Sequence, residues 1–172
     1  MIPAYIAASA EVSDDGRYRY NLTRRWAEGG KQALFVMLNP STADGTTDDP
    51  TIRRCIGFAK REGCASLEVV NLFALRATDP KTLTGARDPV GPLNDHWIVG
   101  AMDRASIVVA AWGASLPRTT AFHRDGAVKL LLAERVVHAL GLTAFGFPRH
   151  PLYVPADAPL IVFQHQAKGC AS

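Results

Sequence analysis

Leu34-Phe35-Val36-Met37-Leu38-Asn39-Pro40-Ser41-Thr42-Ala43-Asp44 is the stretch that decides the fold. Its apolar run is too short for a buried helix and fits a strand covered on both faces. Asn39 and Pro40 end that strand, because proline cannot donate to a sheet ladder. In open α/β sheets, ligands bind in the crevice beyond the carboxyl ends of the strands. Asn39 to Asp44 is therefore the first place to look for chemistry.

The same pattern recurs outward from this strand. Gly29-Gly30 turns the chain into it, so the strand reads as Ala33 to Leu38. Ahead of it, Ile6 to Val12 and the alternating Arg17-Tyr18-Arg19-Tyr20-Asn21-Leu22 flank Asp14-Asp15-Gly16 and predict a hairpin, with Tyr18 and Tyr20 pairing across it. Asp49-Pro50-Thr51 starts a helix over Pro50 to Glu62, with Asp49 as N-cap and Gly63 as stop. Leu67 to Phe73 is a second strand, Asn94 to Asp103 a helix, and Ile107 to Trp112 a third strand. The spacing of Val128, Leu131, Leu132, Val136 and Leu140 predicts a long helix over Phe122 to Leu140, carrying His123 and His138. Leu142 to Phe147 reads as a short fourth strand, and Ile161 to Phe163 as a last strand or packed tail. Arg76 to Asn94 is a long loop rich in Asp, Pro, Thr and Gly, a length at which loops are often functional. The expected architecture is a three-layer α/β/α sandwich around a mainly parallel four-stranded sheet, with an N-terminal β-hairpin.

The chain of 172 residues is read as one domain, 1–172, with 48% apolar and 20% charged residues. Nineteen Lys and Arg against sixteen Asp and Glu leave a net charge of +3. That permits nucleic-acid binding without arguing for it. No apolar run has membrane-spanning length, and Met1 to Ala10 lacks the pattern of a signal peptide, so a cytoplasmic location is the expectation. Cys55, Cys64 and Cys170 are odd in number and form no C-x-x-C, which argues against a disulfide framework or a four-cysteine metal site.

Four loops follow four strands: Asn39-Pro40-Ser41-Thr42, the segment after Asn71, Trp112-Gly113-Ala114, and Pro148-Arg149-His150-Pro151-Leu152-Tyr153. In a parallel sheet they open on one edge, where two amides, a histidine, an arginine and aromatics would converge.

The motifs Met37 to Asp44, Asp49-Pro50-Thr51-Ile52-Arg53-Arg54-Cys55, Val70-Asn71-Leu72-Phe73-Ala74 and Ala111-Trp112-Gly113 resemble a bacterial domain family, domain of unknown function 1643. Their order is similar, more distantly, to the uracil-DNA glycosylase superfamily. That resemblance implies a uracil-DNA glycosylase-like fold. It implies that Asn39-Pro40 stands where a mismatch-specific branch positions water, that Asn71 reads the base, that His150 stabilises the leaving group and that Leu152 intercalates. The sequence departs from the pattern in having Met37 for the motif's glycine, no carboxylate at Asn39 and Leu152 in place of serine.

The chemistry fits these residue types. Breaking an N-glycosidic bond leaves negative charge on the base, which an imidazole N–H can stabilise. An amide such as Asn71 offers a donor and an acceptor to a pyrimidine edge. Asn39 can orient water but is a poor base, so Asp44, Asp48 or Asp49 is a candidate for the missing carboxylate. The expected function is N-glycosidic bond hydrolysis on a nucleobase in DNA or in a nucleotide-like substrate, without cofactor or metal. Ser41, Thr42 and Trp112 are further contacts, and Arg76 and Arg149 the phosphate contacts. The rival is a non-catalytic nucleobase or nucleic-acid binding module. Third is a phosphate-binding enzyme using Ser41, Thr42 and the Arg53-Arg54 pair. Each residue also has a plainer reading. Asn39 and Asp49 are capping residues, the three aspartates a Mg²⁺ site or caps, His150 a surface histidine, and Trp112 a core residue. Arg53 and Arg54 oppose the helix dipole and imply an anionic ligand or a salt bridge to Asp48 or Asp49.

Overall fold

Seven strands form one mixed sheet in the order β1-β2-β4-β3-β5-β6-β7 in the computed structural model, which describes residues 4–115 and 118–164. The strands are β1 (Ala7–Val12), β2 (Arg19–Arg25), β3 (Lys31–Met37), β4 (Cys64–Asn71), β5 (Ile107–Ala110), β6 (Val137–Ala139) and β7 (Ile161–Gln164). The helices are α1 (Pro50–Arg61), α2 (Asn94–Arg104) and α3 (Arg118–Leu131). The four-stranded expectation is therefore corrected to seven. β4, β3, β5 and β6 run parallel at the centre, while β1, β2 and β7 add antiparallel margins. The hairpin is part of this sheet, because β2 pairs with β4 from Leu22↔Val69 to Arg25↔Ser66.

Alternation along β3 sorts the core into two layers. Ala33, Phe35 and Met37 pack with Ile52, Cys55 and Ile56 of α1. Leu34, Val36 and Leu38 pack with Ile98 and Met102 of α2 and Val128 of α3. Both faces are covered, which is why the strand reads as an unbroken apolar run. Asp49 caps α1 as expected, its Oδ1 accepting the Ile52 N–H at 2.8 Å, and Gly63 leaves the helix at φ 72°. Cys55 and Cys64 are buried free thiols, and Cys170 lies outside the described residues. No helix among the described residues is long and apolar enough to cross a membrane.

Three local expectations are corrected. The long helix stops at Leu131, and Val137 to Ala139 is strand β6, so His138 lies on the sheet. Val128, Leu132, Val136 and Leu140 keep an i,i+4 spacing across the break, which mimics one helix. Arg135 fixes the break by donating to the Met102 and Ala105 carbonyls at 2.7 and 2.6 Å, and the β-branched pair Val136-Val137 favours the extended chain after it. Leu142 to Phe147 is a turn closed by the Thr143 N–H on the Phe147 carbonyl at 2.8 Å, not a strand. Tyr18 and Tyr20 do not pair across the hairpin. Their rings stack on each other along one strand segment, with centroids 6.0 Å apart.

Candidate active site

Helix α1 follows β3 on one face of the sheet, and α2 follows the adjacent β4 on the other. The chain thus leaves neighbouring parallel strands in opposite directions, which opens a crevice at their carboxyl ends. A cavity of about 420 Å³ lies there. Asn39, Ser41, Asn71, Trp112 and His150 all line it, so the carboxyl ends of β3, β4 and β5 meet there with the His150 segment, which follows the Leu142 to Phe147 turn rather than a strand.

Asn71 ends β4 opposite Met37, on the same side of the strand as Val69. It is 1% exposed, and neither Oδ1 nor Nδ2 has a hydrogen-bond partner. A buried unpaired amide costs roughly 1–3 kcal/mol, so an ordered water, an ion or a ligand is the expected partner of such a group. Its backbone, by contrast, is firmly held. Asn94 Nδ2 donates to the Asn71 and Leu72 carbonyls at 2.9 and 3.0 Å, and Arg124 Nε donates to the Leu72 carbonyl at 2.6 Å. Arg124 is itself paired with Asp95 at 2.6 Å. The amide is unpartnered on a fixed mount.

Asn39 sits differently. Its Nδ2 donates to the Pro40 and Ala77 carbonyls at 3.0 and 2.8 Å, while the Ala77 N–H returns a bond to the Pro40 carbonyl at 2.9 Å. The amide therefore staples the strand end to the 76–94 loop and offers only Oδ1 to the cavity. That loop is anchored along its length. It forms a 3₁₀ turn at Pro80–Leu83 whose Leu83 is buried in the core. Its Ala77, Thr78, Asp79, Pro80 and Lys81 wall the cavity.

The three aspartates before α1 take separate roles, and no group of three metal-binding side chains occurs among the described residues. Asp44 accepts the Thr46 and Thr47 N–H groups, which hold its carboxyl below the usual range. Asp48 pairs with buried Arg24 at 2.7 Å and accepts the Tyr5 hydroxyl. Burial and the Asp48 bond push that phenol up to about 12. Asp49 alone lines the cavity, and capping occupies only one of its oxygens. Arg53 and Arg54 make no salt bridge to Asp48 or Asp49. Arg53 donates to the Asp48 carbonyl at 2.8 Å, and Arg54 donates to Pro151 and Val154 carbonyls, tying α1 to the His150 loop.

His150 caps the 3₁₀ turn Pro151–Tyr153, its Nδ1 accepting the Leu152 N–H at 3.3 Å. A neutral imidazole that accepts at Nδ1 carries its proton on Nε2. Burial lowers the His150 pKa, with the Asp49 charge opposing, so the ring stays neutral to more acid pH than an exposed histidine. Gly113, at φ 70°, lets the loop after β5 approach: a Cβ there would stand 3.3 Å from His150 Cβ.

Four sequence candidates do not line the cavity: Thr42, Arg76, Arg149 and Leu152. Arg76 donates to the Gly16 carbonyl at 3.4 Å, Arg149 is exposed, and Leu152 is 41% exposed. Trp112 is both core and wall. It is 1% exposed, packs edge-on against Phe163 at 5.7 Å, and leaves Nε1 without a partner. Sequence reasoning missed Arg19, Asp79, Lys81 and Tyr153 as lining residues, and Asn94 and Arg124 as supports. Asp79-Pro80 carries the same cap-then-proline signal as Asp49-Pro50, and its Oδ1 accepts the Lys81 N–H at 2.9 Å.

The family described as "Protein of unknown function (DUF1643)" matches residues 19–152, and the chain belongs to it. No curated protein and no solved structure matches the chain.

Proposed function

We propose that this member of the DUF1643 family is an N-glycosidic bond hydrolase with a uracil-DNA glycosylase-like fold, acting on a nucleobase in DNA or in a nucleotide. One observation carries the reading: the Asn71 amide, buried in the cavity with both atoms unpaired. An amide offers an acceptor beside a donor, which complements the donor–acceptor edge of a base. Around it the cavity holds the parts the reaction needs. Asp49 takes a proton from water, whose oxygen attacks the anomeric carbon, while Asn39 Oδ1 accepts the second water hydrogen. The C–N bond breaks and its electron pair goes to the base. His150 Nε2–H donates to the base carbonyl oxygen as charge builds there, and the proton on Asp49 returns to the departing base. Asp49 thus supplies the carboxylate that the end of β3 lacks.

A binding module without chemistry is the second reading. It is favoured by Asn39, whose amide is spent on backbone carbonyls where a carboxylate would serve catalysis directly.

Base release separates the two. The substrates are uracil, hypoxanthine and ethenocytosine, as free nucleosides and nucleotides and in single- and double-stranded oligonucleotides. Release that is lost in His150→Ala supports the hydrolase. Its rate falls in acid, because a proton on His150 Nδ1 removes the acceptor of the Leu152 N–H that holds the ring in place, and the midpoint lies below the ordinary histidine value, because burial lowers the pKa. Stability follows the same sign. The unfolded chain takes up this proton first, so the folded state loses stability as pH falls through the ordinary histidine range. Base binding without release from any substrate supports the module.

A further inference from the structure

Arg19 is the charge that the reading above leaves unused. It lies on β2, beside the carboxyl end of β4, where its N–H donates to the Ala74 carbonyl at 2.9 Å. It lines the cavity at 3% exposure. One guanidinium nitrogen donates to the Ala43 carbonyl, while Nε is buried and has no partner. None of the ion pairs among the described residues includes Arg19. Burial draws its pKa to about 10, with Asp49 and Asp44 favouring the charge and Arg76 and Arg24 opposing it, which leaves it cationic at neutral pH. A buried guanidinium without a counter-ion is expensive, and in a cavity the missing anion is supplied by what enters.

We propose that Arg19 binds a phosphate of the ligand, and that the ligand is a free nucleotide with its phosphate monoester on Arg19 and its base on Asn71. This rests on the nucleobase reading of Asn71. Three observations favour a free nucleotide over a strand. The charged lining is balanced, Arg19 and Lys81 against Asp49 and Asp79, and a strand binder needs a basic rim. Arg76 and Arg149, the arginines placed to meet a backbone, stand outside the cavity. The volume of about 420 Å³ is that of a small-molecule site.

Calorimetry on the wild-type chain and on two Arg19 variants tests this. The probes are a nucleoside, its 5′-monophosphate, ribose 5-phosphate, and a single-stranded oligonucleotide containing the same base, each at two salt concentrations. The monophosphate binds roughly 10- to 100-fold more tightly than the nucleoside, the scale of a charge-assisted hydrogen bond. Arg19→Gln brings the monophosphate-to-nucleoside affinity ratio close to one, while Arg19→Lys restores part of it. Nucleoside and monophosphate binding equally well would overturn the phosphate site and leave the nucleobase reading standing. Ribose 5-phosphate binding in an Arg19-dependent way, with no binding of the nucleoside, would keep the anion site and remove the base. An oligonucleotide that binds more tightly than the monophosphate, with affinity falling steeply in salt, would overturn the free nucleotide in favour of a strand.

Discussion

Asp49→Asn is expected to lower base release by about 10²–10⁴-fold, the usual contribution of a general base, with little change in the thermal midpoint. The two effects separate because Asp49 has two roles. As N-cap it accepts the Ile52 N–H at 2.8 Å through one oxygen. Asparagine caps a helix as well as aspartate does, so α1 keeps its first turn. The second oxygen, which the proposed mechanism uses as the base, becomes an amide nitrogen that cannot take a proton. Asp49→Ala is the contrasting variant: it loses the cap as well, at about 1 kcal/mol. Single-turnover base release and thermal melts of both variants provide the check. Full activity in Asp49→Asn would move the general base elsewhere, with Asp79 the next carboxylate in the cavity.

Arg24→Met is expected to cost about 3–5 kcal/mol, because it strands a buried carboxylate. The Arg24 side chain is fully buried and Asp48 nearly so, with 2.7 Å between them. Arg24 also donates to the carbonyls of Thr23, Asp44 and Thr47, so one guanidinium organises the segment between β3 and α1. That segment delivers Asp49 to the cavity. The variant should therefore lose activity along with stability. Arg24→Met with Asp48→Leu removes both charges and should recover much of the stability, since an apolar pair often replaces a buried ion pair at no net loss. Urea melts of the single and double variants read the coupling. A single variant as stable as the wild type would show that the pair contributes nothing and that the loop is held by other contacts.

How far the sequence carries this account is clear from individual residues. The end of β3 at Asn39-Pro40 and the cap at Asp49-Pro50 are local signals, set by proline's missing donor and the free N–H groups of a helix start, and both read directly. That Asn39, Asn71 and Trp112 share one cavity follows from parallel strands, whereas His150 reaches it through the turn after β6 and not from the end of the strand expected over Leu142 to Phe147. The margins of the sheet were less legible. β7 is four half-exposed to exposed residues, which read equally as a last strand or a packed tail, and β6 is three residues whose apolar neighbours continue the phase of α3. The roles of Arg19 and Arg24 were hidden for another reason. Both lie in an alternating hairpin, where arginine ordinarily faces solvent. The segment between β3 and α1, a long-range partner, covers them: Arg19 bonds the Ala43 carbonyl, and Arg24 bonds Asp48 and the Asp44 and Thr47 carbonyls. The sequence expectation of phosphate contact fell on Arg76 and Arg149, which occupy loops but stand outside the cavity.

Asn71→Leu tests the central claim most directly, because function and stability should move in opposite directions. If the amide is kept for a ligand, leucine of similar size relieves a buried unsatisfied group. The thermal midpoint then rises, on the scale of about 1–3 kcal/mol, while nucleobase binding disappears. One preparation, melted and then titrated with nucleoside and nucleotide, reads both. A rise in stability with loss of binding is the result this account predicts. A fall in stability with binding intact would show that Asn71 serves the fold and that the cavity does not read a base.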